Sequence, residues 1–446
     1  MTLNAPAGKG EQGRRNKRVG QKKWAQILWA ALLAYSVLRF VSGGIYTPAR
    51  VITGDFYSAF PGPFVKAYNP ALFREAVFGD SLISHEGWWN YGPGFHVVTL
   101  PLTLLTPYPI IDLLTLCALW GLAGAAFWLC GRKLLSLSGW KEWALLGVIW
   151  LNFTPLYAAF GQRAVEILEL FLIIWAFAYW GRPVLGGAAI GLSATLKFLP
   201  AIFLPYLAWK RRWKALAAAA IVAATVLVAT WPLLPWSRSW TLAEYRVTAL
   251  GGGHKLTHLN NQALVNLIQR LFLERRHEGV WLEIRDSERV RRFAGWVNLA
   301  ALAALALYGV FRIRSSMPGP LALECGIVLL TMVMLFYRNQ TYYLSFALAG
   351  ISAAAIQLLR EPAHASARGV GFRSRLAWAA ALALAYGMMS PVIPLGLIDR
   401  MLGAPPSTAL NWWKLWGGPG LGGVILLIVL VGLHSRALKL EGARVR

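Results

Sequence analysis

Cysteine and acidic side chains are scarce in this chain. There are 3 cysteines, and Cys117, Cys130 and Cys325 all lie in or at the ends of apolar runs with no metal-ligand spacing among them. That excludes a disulfide framework and a cysteine zinc site. Only 19 residues are acidic against 44 basic, and charged residues of either sign make up 14% of the chain. Neither an HExxH motif nor a clustered-carboxylate spacing occurs, so no metal is expected. The two halves share no convincing repeat of the kind that transporters with inverted architecture show. The first apolar run, Trp24 to Val41, is too long for a signal-peptide core and lacks a small-residue cleavage site, so it is expected to be retained.

What the chain has in abundance is apolar sequence. Hydrophobic residues are 57% of the total and the mean hydropathy is +0.50. Apolar runs of membrane-crossing length recur along the chain, which reads as an all-α polytopic membrane protein of about twelve spans at roughly 20 residues each. A basic tail (1–23) precedes a single transmembrane domain (24–434), and a second basic tail (435–446) follows it. Positive charge stays in the cytoplasm, so both tails are expected inside. The net charge of +25 lies between spans, beside 22 Trp and 15 Tyr. Anionic lipid head groups and phosphates, not nucleic acid, are the partners this distribution suits.

Alternating the runs gives Phe95 to Thr106 and Ile110 to Cys130 as a hairpin of spans. Trp143 to Phe160, Val165 to Trp180 and Val184 to Trp209 follow, each as one crossing. The basic cluster Lys210 to Lys214 then falls inside, whereas Arg132, Lys133 and Lys141 fall outside, against the charge rule. Two long segments, about 43–92 and 235–292, are expected on the external face. The first carries an amphipathic piece, Ala71 to Phe78, and the pair Trp88-Trp89, which suit helices lying on the membrane surface.

Polar chemistry concentrated on one face suggests an enzyme working at the outer membrane surface. Asp55, in Thr53-Gly54-Asp55-Phe56-Tyr57 just beyond the first span, is a carboxylate placed for such work. Local chemistry alone reads it equally as a helix cap or Asx turn. Within the apolar runs the charges picked out are Arg39 and Lys197, and a lysine several residues inside an apolar run points to function.

The Asp55 segment, followed by Tyr91-Gly92-Pro93-Gly94 and Leu100-Pro101-Leu102, resembles the opening of glycosyltransferase family 87, a member of the GT-C superfamily. Phe160-Gly161-Gln162, the stretch from Gly186-Gly187 through Gly191-Leu192 to Lys197 and Pro200, and Lys210-Arg211-Arg212-Trp213 match in order. Asn260-Asn261-Gln262-Ala263-Leu264 with Arg270 resembles the family's Asn-Gln-Ser segment and the arginine after it. The resemblance covers roughly residues 24 to 350 and rests on order and spacing, because each motif is short.

The resemblance implies a GT-C fold and transfer of a hexose, mannose by family habit, from a polyprenyl-phosphate sugar to a lipid or glycan acceptor on the extracytoplasmic face of the plasma membrane. It implies Asp55 as the general base. A lipid-phosphate donor leaves as a phosphate monoester, so cations must receive it, and an inverting transfer needs one carboxylate to take the acceptor proton. Lys197, Arg270, Arg338 and His258 are the expected phosphate ligands, and Asn261, Gln262 and Gln340 the expected substrate contacts. No cofactor is implied beyond the donor itself. The chain departs from the family where a histidine is expected before Leu344: it has Tyr337-Arg338-Asn339-Gln340, so Arg338 or Gln340 is expected to take that place. A pentose transferase, such as an arabinofuranosyltransferase, would use the same scaffold. A flippase for lipid-linked sugars is the alternative that needs no base.

Overall fold

The structure, a computed structural model, describes residues 26–40, 94, 108–161, 164–230, 261–272, 275–278, 281–284, 288–312, 318–335, 341–360, 370–391, 395–404 and 408–445. The chain is helical throughout these residues apart from one antiparallel hairpin, β1 (Arg275–Glu278) with β2 (Trp281–Ile284), which pairs Arg275 opposite Ile284. Four helical segments are long and apolar enough to cross a membrane: Leu114–Leu134, Glu288–Arg312, Thr341–Arg360 and Gly418–Lys439. The pair α3 (Trp140–Leu151) and α4 (Thr154–Gly161), bent by 51°, makes a fifth if it is one span. The expected count of about twelve reaches into segments outside the described residues.

The bend between α3 and α4 has a local cause and a local remedy. Asn152, Phe153 and Pro155 interrupt the helical ladder, and in an apolar setting the freed backbone groups need partners. Ser390 supplies them, donating to the Asn152 carbonyl at 2.7 Å and accepting from the Thr154 amide at 2.9 Å. Asn152 itself donates to Ser36 of α1 (Gln26–Arg39) at 2.6 Å. Arg39 reaches the Pro391 carbonyl at 3.1 Å, so α1 is tied to the same end of the bundle as this bend.

Contacts between elements sort the bundle into two ends. After α2 (Tyr108–Leu129) a π-turn, Cys130–Leu134, leads to the start of α3. There Glu142 accepts from the Ser138 amide at 2.9 Å and pairs with Arg360 at 2.7 Å, the last residue of α12 (Ala347–Arg360). α5 (Glu166–Ala178) runs to the turn before α6 (Pro183–Leu196), where Arg212 lies 4.7 Å over the Trp180 ring and donates to the Trp180 carbonyl. Lys210 follows α7 (Phe203–Trp209) and pairs at 2.8 Å with Glu324 of α11 (Pro318–Leu335). His434 of α16 (Gly418–Val445) faces the same carboxylate at 3.3 Å and meets Tyr308 of α10 (Glu288–Arg312) at 2.7 Å. Arg132, Lys133, Lys141, Arg182, Lys210, Arg212, Arg312 and Arg360 therefore gather at one end.

This corrects two expectations drawn from hydropathy. Val184 to Trp209 is not one crossing. α6 packs alongside α8 (Trp213–Thr230) in parallel, Gly187 against Ala215 and Gly191 against Ala219, so both helices leave the basic end together. The chain reverses after Leu196: Lys197 is fully extended (φ −141°, ψ 149°), Pro200 sits in a short 3-10 turn (Leu199–Ile202), and α7 returns to Lys210. Pro183 at the first turn starts α6 and the Pro200 break prevents its continuation. With 14 residues α6 rises ~20 Å, about two-thirds of a ~30 Å hydrocarbon layer, so the hairpin is re-entrant. The second correction follows: α2 runs toward the basic end, not away from it, and Arg132, Lys133 and Lys141 join Lys210 there. Counting the hairpin as a span had put Arg132, Lys133 and Lys141 on the side opposite Lys210.

Close approach of α6 to α8 depends on having no side chain at two positions. A Cβ on Gly187 would stand 2.0 Å from the Ala215 carbonyl oxygen and one on Gly191 2.4 Å from that of Ala219. Small residues at such a contact let backbones pack directly in an apolar medium.

Candidate functional site

Lys197 occupies the tip of the re-entrant hairpin and is 3% exposed. It donates to Glu166, the first residue of α5, and to the Tyr343 hydroxyl at 3.0 Å, and its ammonium lies 4.5 Å from the Tyr343 ring centre. Tyr343 belongs to the 3-10 segment Thr341–Phe346 that leads into α12. Two carboxylates at the N-terminal turn of α5, Glu166 and Glu169, suit the positive end of the helix dipole. Both are buried, and the charges of Lys197 and Glu166 act on Glu169.

Four sequence segments far apart in the chain meet at this tip. Gly94, the last residue of Tyr91-Gly92-Pro93-Gly94, lies so close to Thr195 that an added Cβ would stand 2.3 Å from its hydroxyl. Glu166 follows Phe160-Gly161-Gln162 by one turn. Lys197 closes the stretch that begins at Gly186-Gly187. Tyr342 and Tyr343 come two and three residues after Gln340 in the sequence. A buried ion pair therefore sits where the short motifs converge, away from the basic end.

Asn261, Gln262 and Arg270 form a second polar cluster. Gln262 donates to the Lys414 carbonyl at 3.2 Å and accepts from the Gly420 amide at 3.3 Å, while Asn261 accepts from the Ala263 amide at 3.2 Å. Arg270, on α9 (Leu264–Phe272), donates to the same Lys414 carbonyl at 2.9 Å and to the Asn261 carbonyl. These side chains tie α9 to the start of α16 and to α15 (Thr408–Leu415), which carries Lys414. Burial holds the Lys414 ammonium at about 8, well below its ordinary 10.5. Trp413 on the same helix donates its indole N–H to the Met388 carbonyl at 3.0 Å, so its ring is part of the packing.

Of the residues expected to act, Lys197 and Arg270 are thus both engaged inside the protein, Lys197 by a carboxylate and Arg270 by two carbonyls. They lie in different clusters. Asp55, His258, Arg338 and Gln340 fall outside the described residues. Sequence reasoning missed Glu166, Glu169 and Glu324, although Glu166 and Glu169 stand inside Val165 to Trp180, which it read as a span, and Glu324 stands in an apolar run. The signal was available: an acidic residue in an apolar run of crossing length asks for a partner as plainly as Lys197 does. Among the described residues no group of three or more His, Cys, Asp or Glu is placed to hold a metal ion.

The model of glycosyltransferase family 87 matches residues 89–337 of the chain. That stretch starts beside Tyr91-Gly92-Pro93-Gly94, includes Glu166, Lys197, Gln262 and Arg270, and stops just before Arg338. No curated protein and no solved structure matches the chain.

Proposed function

The chain belongs to glycosyltransferase family 87, and from that premise we propose that it transfers a hexose, mannose in the first instance, from a polyprenyl-phosphate donor to a lipid or glycan acceptor. The observation that carries the reading is the meeting of three motif segments at the Lys197 tip, joined by Tyr343 from the stretch where the chain departs from the family, at the end of the bundle opposite the basic cluster. Taking the basic end as cytoplasmic puts that tip toward the extracytoplasmic face of the plasma membrane, where a polyprenyl-linked sugar would be presented.

In this reading the reaction is a single inverting displacement. Asp55 takes the proton of the acceptor hydroxyl as that oxygen bonds to the anomeric carbon, and the bond from that carbon to the phosphate oxygen breaks on the opposite face. The polyprenyl phosphate leaves with the bonding electron pair, and Arg338 and His258 receive its charge. Lys197 and Arg270 are better suited to framing the site than to meeting the phosphate, because each is already held by protein oxygens. Asn261 and Gln262 shape the wall beside it, and Gln340 contacts the substrate. The reading calls for no metal or other cofactor.

The test is reconstitution of the purified chain in proteoliposomes with total membrane lipid and radiolabelled polyprenyl-phosphate hexoses and pentoses. Mannose label is expected to move to product, and Asp55→Asn is expected to abolish turnover while donor binding persists, since it removes the base and keeps the shape. Product formation by Asp55→Ala at the wild-type rate, with flipping of labelled donor lost, would establish the flippase instead.

A further inference from the structure

The Lys197 tip carries one ammonium and two carboxyl groups, and the two are not equivalent. Glu166 holds Lys197 directly. Neither oxygen of Glu169 has a hydrogen-bond partner among the described residues, and its side chain is fully buried. The charged groups that act on it are Lys197 from the hairpin and Glu166 from its own helix, and Tyr342 and Tyr343 lie near Lys197. An ionised carboxylate removed from water without a partner is so unfavourable that such a group takes up a proton instead. Among the described residues the cation acting on Glu169 is Lys197, which Glu166 already holds.

We infer that Glu166, ionised, is a positioning residue that fixes Lys197 and through it the Tyr342-Tyr343 turn, while Glu169 beside it is carried as a neutral acid. The consequence for catalysis runs along the chain. Arg338 and Gln340 come shortly before Tyr343 in the sequence, and Tyr343 is the point at which that stretch is held to Lys197. Lengthening or shortening the Glu166 arm moves that anchor. With Glu169 neutral and Glu166 paired with Lys197, the tip carries no uncompensated carboxylate among the described residues.

Two measurements test this, of which only the second rests on the glycosyltransferase reading. In infrared difference spectra, wild type minus Glu169→Gln should show loss of a protonated-carboxyl carbonyl band. The double variant Glu166→Gln/Lys197→Met, which removes both charges of the pair, should keep that band. Loss of a carboxylate band in the Glu169→Gln difference would overturn the assignment, whether or not the protein transfers sugar. In the transfer assay Glu166→Asp, which keeps the charge and withdraws it by one methylene, should raise donor KM about tenfold with acceptor KM unchanged. If both KM values rise together, or neither moves, Glu166 is a structural ion pair only. Absence of transfer by wild type from every donor would instead strike the proposed function and leave the infrared result standing.

Discussion

Replacing Gly187 by alanine adds one methyl group, and the geometry says where it must go. Its Cβ would lie 2.0 Å from the Ala215 carbonyl oxygen, whereas ordinary contact begins near 3.4 Å, so the gap is short by 1.4 Å (3.4 − 2.0). The obstacle is backbone, which cannot rotate aside like a side chain. α6 must therefore move off α8 by about 1 Å or more, and overpacking of this kind destabilises by ~1–3 kcal/mol. The movement does not stay local, because Lys197 ends the same helix ~15 Å further along. A catalytic frame displaced by 1 Å loses on the order of 10²-fold in rate. The expected result is a lowered unfolding midpoint in detergent together with a much larger fall in transfer rate in proteoliposomes. Gly121→Ala is the control: it sits on α2, where an added Cβ meets nothing within 4 Å. If Gly187→Ala matched Gly121→Ala in both midpoint and rate, the parallel packing of α6 on α8 would be wrong, and the re-entrant hairpin with it.

At the basic end, Lys210→Met should destabilise by about 3–5 kcal/mol, because it strips the cation from a buried Glu324. Adding Glu324→Gln should recover most of that loss in the same chemical unfolding measurement, and a double variant worse than either single would contradict the pairing. In a cysteine-free background, Ser138→Cys and Lys214→Cys should react with an impermeant maleimide from one side of sealed vesicles and Met401→Cys from the other; labelling of Ser138→Cys with Met401→Cys would restore the path read from hydropathy. Lys414 gives a pH test. Its folded value of about 8 lies below the ordinary 10.5, so between these the unfolded chain binds more protons and stability must rise with pH. That rise should appear in the thermal midpoint from pH 8 to 10 and vanish in Lys414→Met.

Hydropathy located the helices well and their directions poorly, and the reason is physical. Burial in a bilayer and burial inside a bundle both select apolar side chains, so a hairpin that enters and leaves by one face has the composition of a span. Val184 to Trp209 is 26 residues by its numbering, long enough to be read as one tilted crossing. The evidence against that reading was Pro200 after Lys197, a break whose meaning depends on which neighbour each half packs against. The basic residues had already signalled the error, since Arg132, Lys133 and Lys141 share a side with Lys210 only if one of the crossings read between them is removed.

The site was legible in part, and unevenly by residue type. Lys197 stood out because a charge in an apolar run has few explanations, and Gly187 and Gly191 belonged to the same short motif. Glu166 and Glu169 obeyed the same logic, yet the reading of Val165 to Trp180 as one crossing passed over them. Distinguishing their roles needs three-dimensional information: Glu166 meets Lys197 across 31 positions of sequence and Tyr343 lies a further 146 from that lysine. Arg270 shows the converse. Its motif context gave it as a ligand for phosphate, and in the fold two backbone carbonyls accept from its guanidinium; no one-dimensional pattern records which acceptors an arginine will find. A short motif thus reports that a position is constrained; whether the constraint comes from substrate or from the frame that holds substrate is decided by contacts between segments, and at the hairpin tip the frame accounts for every contact Lys197 makes with Glu166 and Tyr343.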